Sequence, residues 1–161
     1  MRTKSFESQR LYFTELDISH TDIIVEWRSD RENIRHFRNP VPLTKQSHLD
    51  WFEKYKSDDT RSNFVISVKE SGKEIGCVSA SDIDIRGNSC EVSYAIFDKS
   101  ERGKGYGSEA VRAFINYCGT VYGVVHFTAE IYDDNIASIK LATSLGFIKS
   151  CNNNYYLSIS L

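Results

Sequence analysis

Three apolar segments that follow one another at short intervals constrain the fold more than any other feature of this sequence. They are NFVISVK at residues 63–69, EIGCVSASDI at residues 74–83 and CEVSYAIF at residues 90–97, and each has the β-branched and aromatic content of a strand. Their connections, ESGK and DIRGNS, carry the Gly, Ser, Asp and Asn of hairpin turns. Strands joined by such short turns pair antiparallel. The segments therefore predict an antiparallel meander.

The part of the chain before the meander combines one strand with two helices. LYFTELD at residues 11–17 alternates apolar and polar positions as a strand does. Apolar residues then recur at helical spacing as far as Phe37, and Thr21 is placed to cap that helix. A second helical pattern begins behind Thr44. We therefore expect two helices between the first strand and the meander.

The part of the chain after the meander alternates helix and strand. Apolar residues at 110–118 have helical spacing, and the strand VVHFTAEIY follows at residues 124–132. Asp134 or Asn135 can cap a last helix, and Gly146 stands where a left-handed residue closes one. The residues that follow leave room for one or two strands. This order of elements predicts an α+β fold in which helices flank a mixed sheet.

Length and composition indicate one globular domain. A chain of 161 residues, 40% of them hydrophobic, suits a single domain. The 20 Lys plus Arg and 22 Asp plus Glu show no basic excess of the kind found in proteins that bind nucleic acid. No apolar run approaches the roughly 20 residues that span a bilayer, and MRTKSFESQR contains no apolar signal region. We expect a cytoplasmic protein with neither nucleic acid nor membrane as a partner.

The cysteines and histidines show no metal-binding pattern. The four cysteines lie far apart without a CxxC pair, and the four histidines form no HExxH motif. We therefore expect no metal. Buried free thiols are the expectation for Cys77, Cys90, Cys118 and Cys151.

The segment SERGKGYGSEAVRAF at residues 100–114 places three glycines between a strand and a helix. The first amides of a helix have no partner within it and lie at the positive end of its dipole, so they bind anions such as phosphate. A side chain on these glycines would hold a phosphate away from the amides, and concave turns often need a positive φ. We therefore expect this loop to bind phosphate. The expected contacts are Arg102, Gly103, Lys104, Gly105, Tyr106, Gly107 and Ser108.

Other interpretations of the glycines fit less well. A Walker P-loop is excluded because Lys104 is followed by Gly105. A dinucleotide fingerprint is matched by Gly105, Gly107 and Ala110, with Glu130 about 20 residues further on. However, DKSER separates the strand from the glycines, and too little chain follows to complete a doubly wound sheet. A flexible turn without a ligand is the remaining alternative.

Two motifs together resemble the GNAT family of N-acetyltransferases. Arg102, Gly105 and Gly107 match its R/Q-x-x-G-x-G/A pattern, and NIASIKLATSLGF at residues 135–147 matches N-x-x-[AS]-x-x-L-x-x-x-x-G-F. RGKGYGSEA and DDNIASIKLATSLGF are similar to the ribosomal-protein acetyltransferase branch, which also includes amino-sugar and polyamine enzymes. The resemblance implies one acyl-CoA N-acyltransferase domain over residues 1–161, with a mostly antiparallel sheet of about six to seven strands and about four helices.

The same resemblance implies direct transfer of an acetyl group from acetyl-CoA, as co-substrate, to a primary amine. An amino-sugar nucleotide, a peptide or protein N-terminus and a small amine remain alternatives for the acceptor. Two strands of the sheet would separate and take the pantetheine arm between them. Amides near Ile96 and Phe97 would bind that arm, and Asn135 with Ser138 would border its thioester end.

The reaction also needs a base for the amine and a group that stabilises the departing thiolate. An alkylammonium with a pKa near about 10 must lose a proton before it attacks, and Glu91 on the implied acetyl-CoA strand is the expected base. Many family members carry a tyrosine where this chain has Ala142, so Ser138 or Tyr132 is expected to serve the thiolate. A solvated strand carboxylate is the alternative for Glu91, and a helix-capping role is the alternative for Ser138.

Ala142 also keeps open a different class of function. A chain that had kept the cofactor loop and lost the chemistry would be a non-catalytic acyl-CoA-binding or sensing module. The resemblance also leaves open whether two chains form a homodimer through an exposed edge strand.

Overall fold

The computed structural model describes residues 5–161, a mixed sheet with helices on both faces. The strands are β1 (Ser5–Glu7), β2 (Leu11–Glu15), β3 (Ser62–Val68), β4 (Glu74–Asp84), β5 (Ser89–Ile96), β6 (His126–Glu130), β7 (Ile148–Lys149) and β8 (Asn154–Ser158). The helices are α1 (Thr21–Ser29), α2 (Arg31–Ile34), α3 (Lys45–Tyr55), α4 (Tyr106–Tyr122) and α5 (Ile136–Ser144), with 3₁₀ turns at Ile18–His20 and Lys99–Glu101. Residues 1–4, part of the N-terminal segment searched for a signal, lie outside this description. No described helix is both long and apolar enough to cross a membrane.

The predicted α+β fold with a mostly antiparallel sheet is confirmed. Within residues 5–161 there are eight strands and five α-helices, more than the six to seven strands and about four helices expected from the sequence. The strand number is higher because β1 and β7 are too short to show a pattern in the sequence. The fifth helix is the single turn α2. It arises where Asp30 accepts a hydrogen bond from the Glu32 amide and begins a new helix immediately after α1.

One strand pair departs from the antiparallel pattern. The sheet order is β1-β2-β3-β4-β5-β6-β8-β7, and β5 and β6 are the parallel pair. They are parallel because α4 carries the chain from one end of the sheet back to the other. Their ladder runs from Ser89 opposite His126 to Glu91 opposite Thr128 and then stops. The remainder of β5 is therefore separated from β6.

Apolar residues cover both faces of the sheet. Phe64, Phe114 and Phe127 are fully buried on the face that packs against α4 and α5. On the other face, Trp27 of α1 and Phe52 of α3 pack into a second core against the sheet. Strand β5 takes part in both cores because successive side chains point to opposite faces. The two faces of β5 therefore meet different sets of helices.

The helix starts follow the predicted capping logic with one correction. Thr21 is the first residue of α1, and its hydroxyl donates to the Ile18 carbonyl at 2.7 Å. Asp17 instead caps the 3₁₀ turn that leads into the helix. Thr44 caps α3 in a capping box with Ser47, as predicted. The first α-helix therefore begins one 3₁₀ turn after the capping residue Asp17.

The four cysteines are free thiols, but they are not all buried. Cys90 of β5 and Cys118 of α4 are both buried in the core between the sheet and α4, and Cys77 is half-buried on the face that packs against α1. Cys151 is exposed in the turn before β8. The expectation of burial is therefore wrong for Cys151, because the short strands at this end leave the turn uncovered.

Candidate functional site

A cleft of about 950 Å³ opens where β5 and β6 separate. The Phe97 amide donates to the Ile75 carbonyl at 2.8 Å, on the β4 side of β5. Because main-chain groups alternate between the two edges of a strand, those of Tyr94 and Ile96 point toward the gap. Among the described residues, no strand pairs with this edge beyond Glu91. An extended ligand can add to such a free edge as a further strand.

The same hydrogen bond corrects one expectation. The Phe97 amide was expected to bind the cofactor, but it already has a partner within the sheet and its side chain is buried beside Trp27. Ile96 is directed at the gap, and its role stays a prediction. Ile96 and Phe97 differ because successive residues of a strand direct their main-chain groups to opposite edges and their side chains to opposite faces.

The glycine-rich loop between β5 and α4 presents bare helix amides. Gly103 and Gly105 have φ of 76° and 82°, values that strain any residue with a side chain. Gly105 is also the N-cap of α4, and no side chain caps the first turn. The amides of Tyr106, Gly107 and Ser108 therefore lack a helical partner. The positive end of the helix dipole and these donors suit an anion.

Gly107 is required for packing as well. A Cβ at this position would lie 3.0 Å from the Tyr94 ring and 3.1 Å from the Leu141 side chain. Contacts this short mean that the ring or the leucine would have to shift. The absent side chain thus lets α4 start directly against β5 and α5. It would also let a ligand approach the backbone.

The two cations of the loop hold it in place. Arg102 donates from Nε to the Ile96 carbonyl at 2.8 Å and from Nη2 to Asn33 Oδ1 at 2.7 Å. Lys104 Nζ lies 2.8 Å from Glu101 Oε2, and the hydrogen bond to Glu101 raises the pKa of Lys104. Both side chains are exposed at the rim of the loop, where they also reach solvent.

A clamp on the loop comes from the turn between β1 and β2, and the sequence analysis missed it. Arg10 donates to the Lys104 carbonyl at 2.9 Å and to Glu109 Oε2 at 2.6 Å, and it stacks 4.6 Å from the Tyr106 ring centroid. Ser8 donates to Glu109 Oε1 at 2.7 Å. Burial alone would raise the pKa of Glu109, but hydrogen bonds from Arg10 and Ser8 outweigh it and hold that pKa below its usual value. Arg10 and Glu109 are 99 positions apart, so no local pattern shows the clamp.

On the face of β5 that is turned toward α1 and α3, two carboxylates share one arginine. Arg38 Nη2 lies 3.0 Å from Glu91 Oε1 and 3.1 Å from Glu130 Oε2. Hydrogen bonding to Glu130, together with the charge of Glu91, raises the pKa of Arg38. The pairing of Glu91 with Thr128 brings Glu130 onto the same face. Glu130 was considered only within the dinucleotide motif, and Arg38 was not singled out from the sequence.

On the opposite face of β5, two hydroxyl groups meet. The Tyr94 hydroxyl lies 3.1 Å from the Ser138 hydroxyl of α5, and burial raises the pKa of Tyr94. Asn135 caps α5 through the Ser138 amide, as one of the two predicted caps. Tyr94 was missed because its alternation within β5 is that of an ordinary core residue.

Tyr132 belongs to the acidic side of the cleft. Hydrogen bonding to Glu130 raises the pKa of Tyr132, and the charge of Arg38 opposes that shift. The three expected catalytic residues, Glu91, Ser138 and Tyr132, all line the cleft. The structure thus brings Tyr132 together with Glu91 and Glu130, whereas Ser138 meets Tyr94.

Comparisons with known proteins agree with this architecture. The family model described as the acetyltransferase (GNAT) domain matches residues 10–148. An uncharacterized N-acetyltransferase, p20 of Bacillus licheniformis, is 28% identical over 146 residues, which make up 88% of this chain and 81% of that protein.

Two solved structures share the fold. Spermidine N-acetyltransferase from Vibrio cholerae, in complex with CoA and spermine, has a TM-score of 0.82 at 16% identity and is matched over 93% of this chain and 94% of its own. RimL, a ribosomal L7/L12 alpha-N-protein acetyltransferase in complex with coenzyme A, has a TM-score of 0.79 at 17% identity over 94% and 95% of the two chains. At these identities the likeness concerns the fold alone.

Proposed function

Because the chain belongs to the acetyltransferase (GNAT) family, we propose that it transfers the acetyl group of acetyl-CoA directly to a primary amine. It is an acyltransferase by family, and residues 1–161 would act as one catalytic domain. The observation that carries the proposal is the gap between β5 and β6, which lies beside the uncapped start of α4.

The donor side of the cleft suits CoA in two respects. The free edge at Tyr94 and Ile96 can pair with the amide groups of an extended pantetheine arm. The amides of Tyr106, Gly107 and Ser108 can receive the pyrophosphate at the start of α4. The CoA bound in both structural neighbours supports this assignment.

Glu91 is proposed as the base that takes a proton from the acceptor amine, directly or through a water. A cationic amine fits between Glu91 and Glu130 in the position of the Arg38 guanidinium, which is 64% exposed and can yield it. Once deprotonated, the amine attacks the thioester carbonyl and the carbon–sulfur bond breaks. Loss of such a base typically slows a reaction by about a hundredfold to ten-thousandfold.

Ala142 stands where many family members have a tyrosine. In its place, the hydroxyl pair of Tyr94 and Ser138 is proposed to stabilise the departing thiolate. A thiol has a pKa near about 8.5 and a phenol near about 10, and burial raises the pKa of Tyr94 further. Tyr94 is therefore a hydrogen-bond donor to the thiolate, and the final proton comes from water. Ser138 can align the phenol or donate itself.

The acceptor within this family is also a proposal. The motif NIASIKLATSLGF and the likeness to RimL support the ribosomal-protein branch and hence a protein N-terminus. The likeness to spermidine N-acetyltransferase supports a small polyamine equally well. Both acceptors are cationic amines, which is the property that Glu91 and Glu130 would recognise.

Calorimetric titration with acetyl-CoA, and with CoA and NADH as comparators, tests the proposal. We expect Gly105→Asp to weaken acetyl-CoA binding by about a hundredfold or more, because the substitution brings a carboxylate to the anion site and strains a residue with φ of 82°. Gly72→Asp is the matched control, since Gly72 has φ of 69° in the β3–β4 turn with open space around it. Binding of NADH instead of acetyl-CoA, or equal loss in both variants, would refute the proposal.

A further inference from the structure

Beneath α1 and α3, the cleft is lined by a half-buried arginine, Arg28, that has no ion-pair partner among the described residues. Arg28 Nε is shielded from solvent and has no hydrogen-bond partner. Among residues 5–161, no carboxylate forms an ion pair with Arg28, and residues 1–4 contain no Asp or Glu. The guanidinium carbon of Arg28 lies 5.1 Å from the centroid of the Phe37 ring, in a cation–π contact. Buried charges are normally paired, so this arrangement calls for a partner from outside the described chain.

A histidine beside Arg28 also has a shielded polar atom without a hydrogen-bond partner. His48 of α3 is 2% exposed, and its Nε2 has no hydrogen-bond partner. Burial, and then the charge of Arg28, lower the pKa of His48, so its imidazole is neutral near pH 7. A neutral imidazole can present an N–H at Nε2. Both side chains line the cleft, although the two unpartnered atoms are shielded from it, so a ligand would meet the guanidinium first through its Nη groups.

Of the two other titratable groups here, Cys77 adds no negative charge, and the Glu74 carboxylate lies 3.7 Å from His20 Nε2 and forms no ion pair with Arg28. Burial raises the pKa of Cys77 to about 12, although the nearby Arg28 opposes the shift. Its thiol therefore stays neutral. The end of the cleft beneath α1 and α3 thus carries one uncompensated positive charge.

Other arginines near the cleft show that this arrangement is unusual within the molecule. Arg38 pairs with Glu91 and Glu130, and Arg61 lies 3.3 Å from Asp58. These ion pairs are exposed to water, where an arginine needs a partner least. Within the described chain, Arg35 and Arg102 also line the cleft without a carboxylate partner, but both are exposed. Arg28 differs from them because it is half-buried and its Nε is shielded from solvent without a hydrogen-bond partner.

We infer that Arg28 and His48 bind a carboxylate of the acceptor, which therefore carries both a primary amine and an acidic group. The inference rests on the proposed function, because the same cleft would hold the amine. The cleft presents two carboxylates, Glu91 and Glu130, that share the exchangeable Arg38, and separately Arg28 without a carboxylate. The matching ligand class is an amino acid or a short peptide segment with an acidic side chain.

The chemistry of the two donors favours a carboxylate over other groups. A guanidinium binds a carboxylate through two parallel hydrogen bonds, and an adjacent imidazole N–H can add a third. A neutral amide in the same place would leave the charge of Arg28 uncompensated. Sites of this kind discriminate strongly against ligands that lack the expected group.

Paired acceptors give the first test. Acetyl transfer is measured with ω-amino acids of increasing chain length, each compared with its primary amide, and with short peptides that contain Glu or Gln at matched positions. At the best chain length we expect the acid to exceed the amide in kcat/KM by about tenfold or more. Arg28→Gln should reduce this ratio to about one, whereas Arg31→Gln, on the exposed start of α2, should leave it unchanged.

Binding measured without catalysis gives the second test. Its main comparison uses the wild type, so it remains valid if Arg28→Gln does not fold. Glutarate should raise the melting temperature of the wild type more than glutaramide does at equal ionic strength, and His48→Gln should weaken that shift. Equal shifts, together with equal rates for acids and amides, would overturn the inference. That result would point to a carboxylate supplied by a second protein chain. Failure of the proposed function is recognised separately, as absence of acetyl-CoA binding.

Discussion

The two sides of the cleft are built in different ways. The proposed donor side uses main-chain groups, namely the free edge of β5 and the amides at the start of α4. The proposed acceptor side uses side chains from separate elements, with Arg28 from α1, Arg38 from the loop before α3 and Glu91 from β5. A main-chain site needs glycines in one short segment, whereas a side-chain site needs distant residues to meet. The first leaves a local motif in the sequence, and the second does not.

This difference matters for function because the two sides are proposed to meet different ligands. A donor shared by a whole family can be recognised by a constant backbone arrangement. An acceptor that differs between relatives is recognised by side chains that can change without altering the fold. Variants on the two sides should therefore separate donor affinity from turnover.

The largest effect is expected from Glu91→Gln. We predict that kcat falls by about a hundredfold or more, while acetyl-CoA affinity changes by less than about threefold, because the amide cannot take the proton of the acceptor. Steady-state kinetics and calorimetry together measure both quantities. Glu130→Gln is the comparison, since it loosens the same arginine and removes one amine-binding carboxylate but not the proposed base, so its effect should fall mainly on the KM of the amine. Equal effects of the two substitutions would reduce Glu91 to an ion-pair partner.

A smaller effect is expected from Tyr94→Phe, which lies between the two sides. We predict that kcat falls by about tenfold to a hundredfold, because the thiolate loses a hydrogen-bond donor while the ring packing stays the same. Acetyl-CoA binding should remain close to that of the wild type. Tyr12→Phe, on the exposed face of β2, is the control. Unchanged turnover in Tyr94→Phe would leave Ser138 or Tyr132 as the group that serves the thiolate.

The smallest effect is expected from Asp98→Asn, just before the glycine-rich loop. A hydrogen bond from Lys73 and others from Ser100 lower the pKa of Asp98 from 3.8 to about 2. Because the pKa is lowered on folding, the stabilisation is present above pH 3.8 and is lost as pH falls toward about 2. With allowance for solvent screening, we expect the variant to lose about 1 kcal/mol or less at neutral pH.

Urea unfolding at a series of pH values measures this loss. The stability curves of wild type and Asp98→Asn should converge as pH falls through the acid range. Asp133→Asn, which breaks an exposed pair with Lys149, provides the comparison. A constant difference at every pH would show that the carboxylate charge of Asp98 does not stabilise the loop.

Much of the fold was predictable from local patterns. The meander, the helix that follows the glycines and the last helix with Gly146 behind it all appear as predicted. Strand β1 and the one-turn helix α2 were missed, because three or four residues carry no periodicity. The cap at Thr21 was displaced by Asp17, which begins a 3₁₀ turn that the helical spacing does not reveal.

The sequence by itself determined the conformation of the glycine-rich loop, because a positive φ at Gly103 and Gly105 depends on the identity of single residues. Tertiary structure decided the rest of the cleft. It paired the Phe97 amide within the sheet, placed Tyr94 against Ser138 and left the Nε atom of Arg28 shielded from solvent without a partner. These contacts depend on the register of the sheet and on helices that are distant in the chain. Side-chain meetings of that kind have no period or spacing in the sequence, so only the folded chain reveals them.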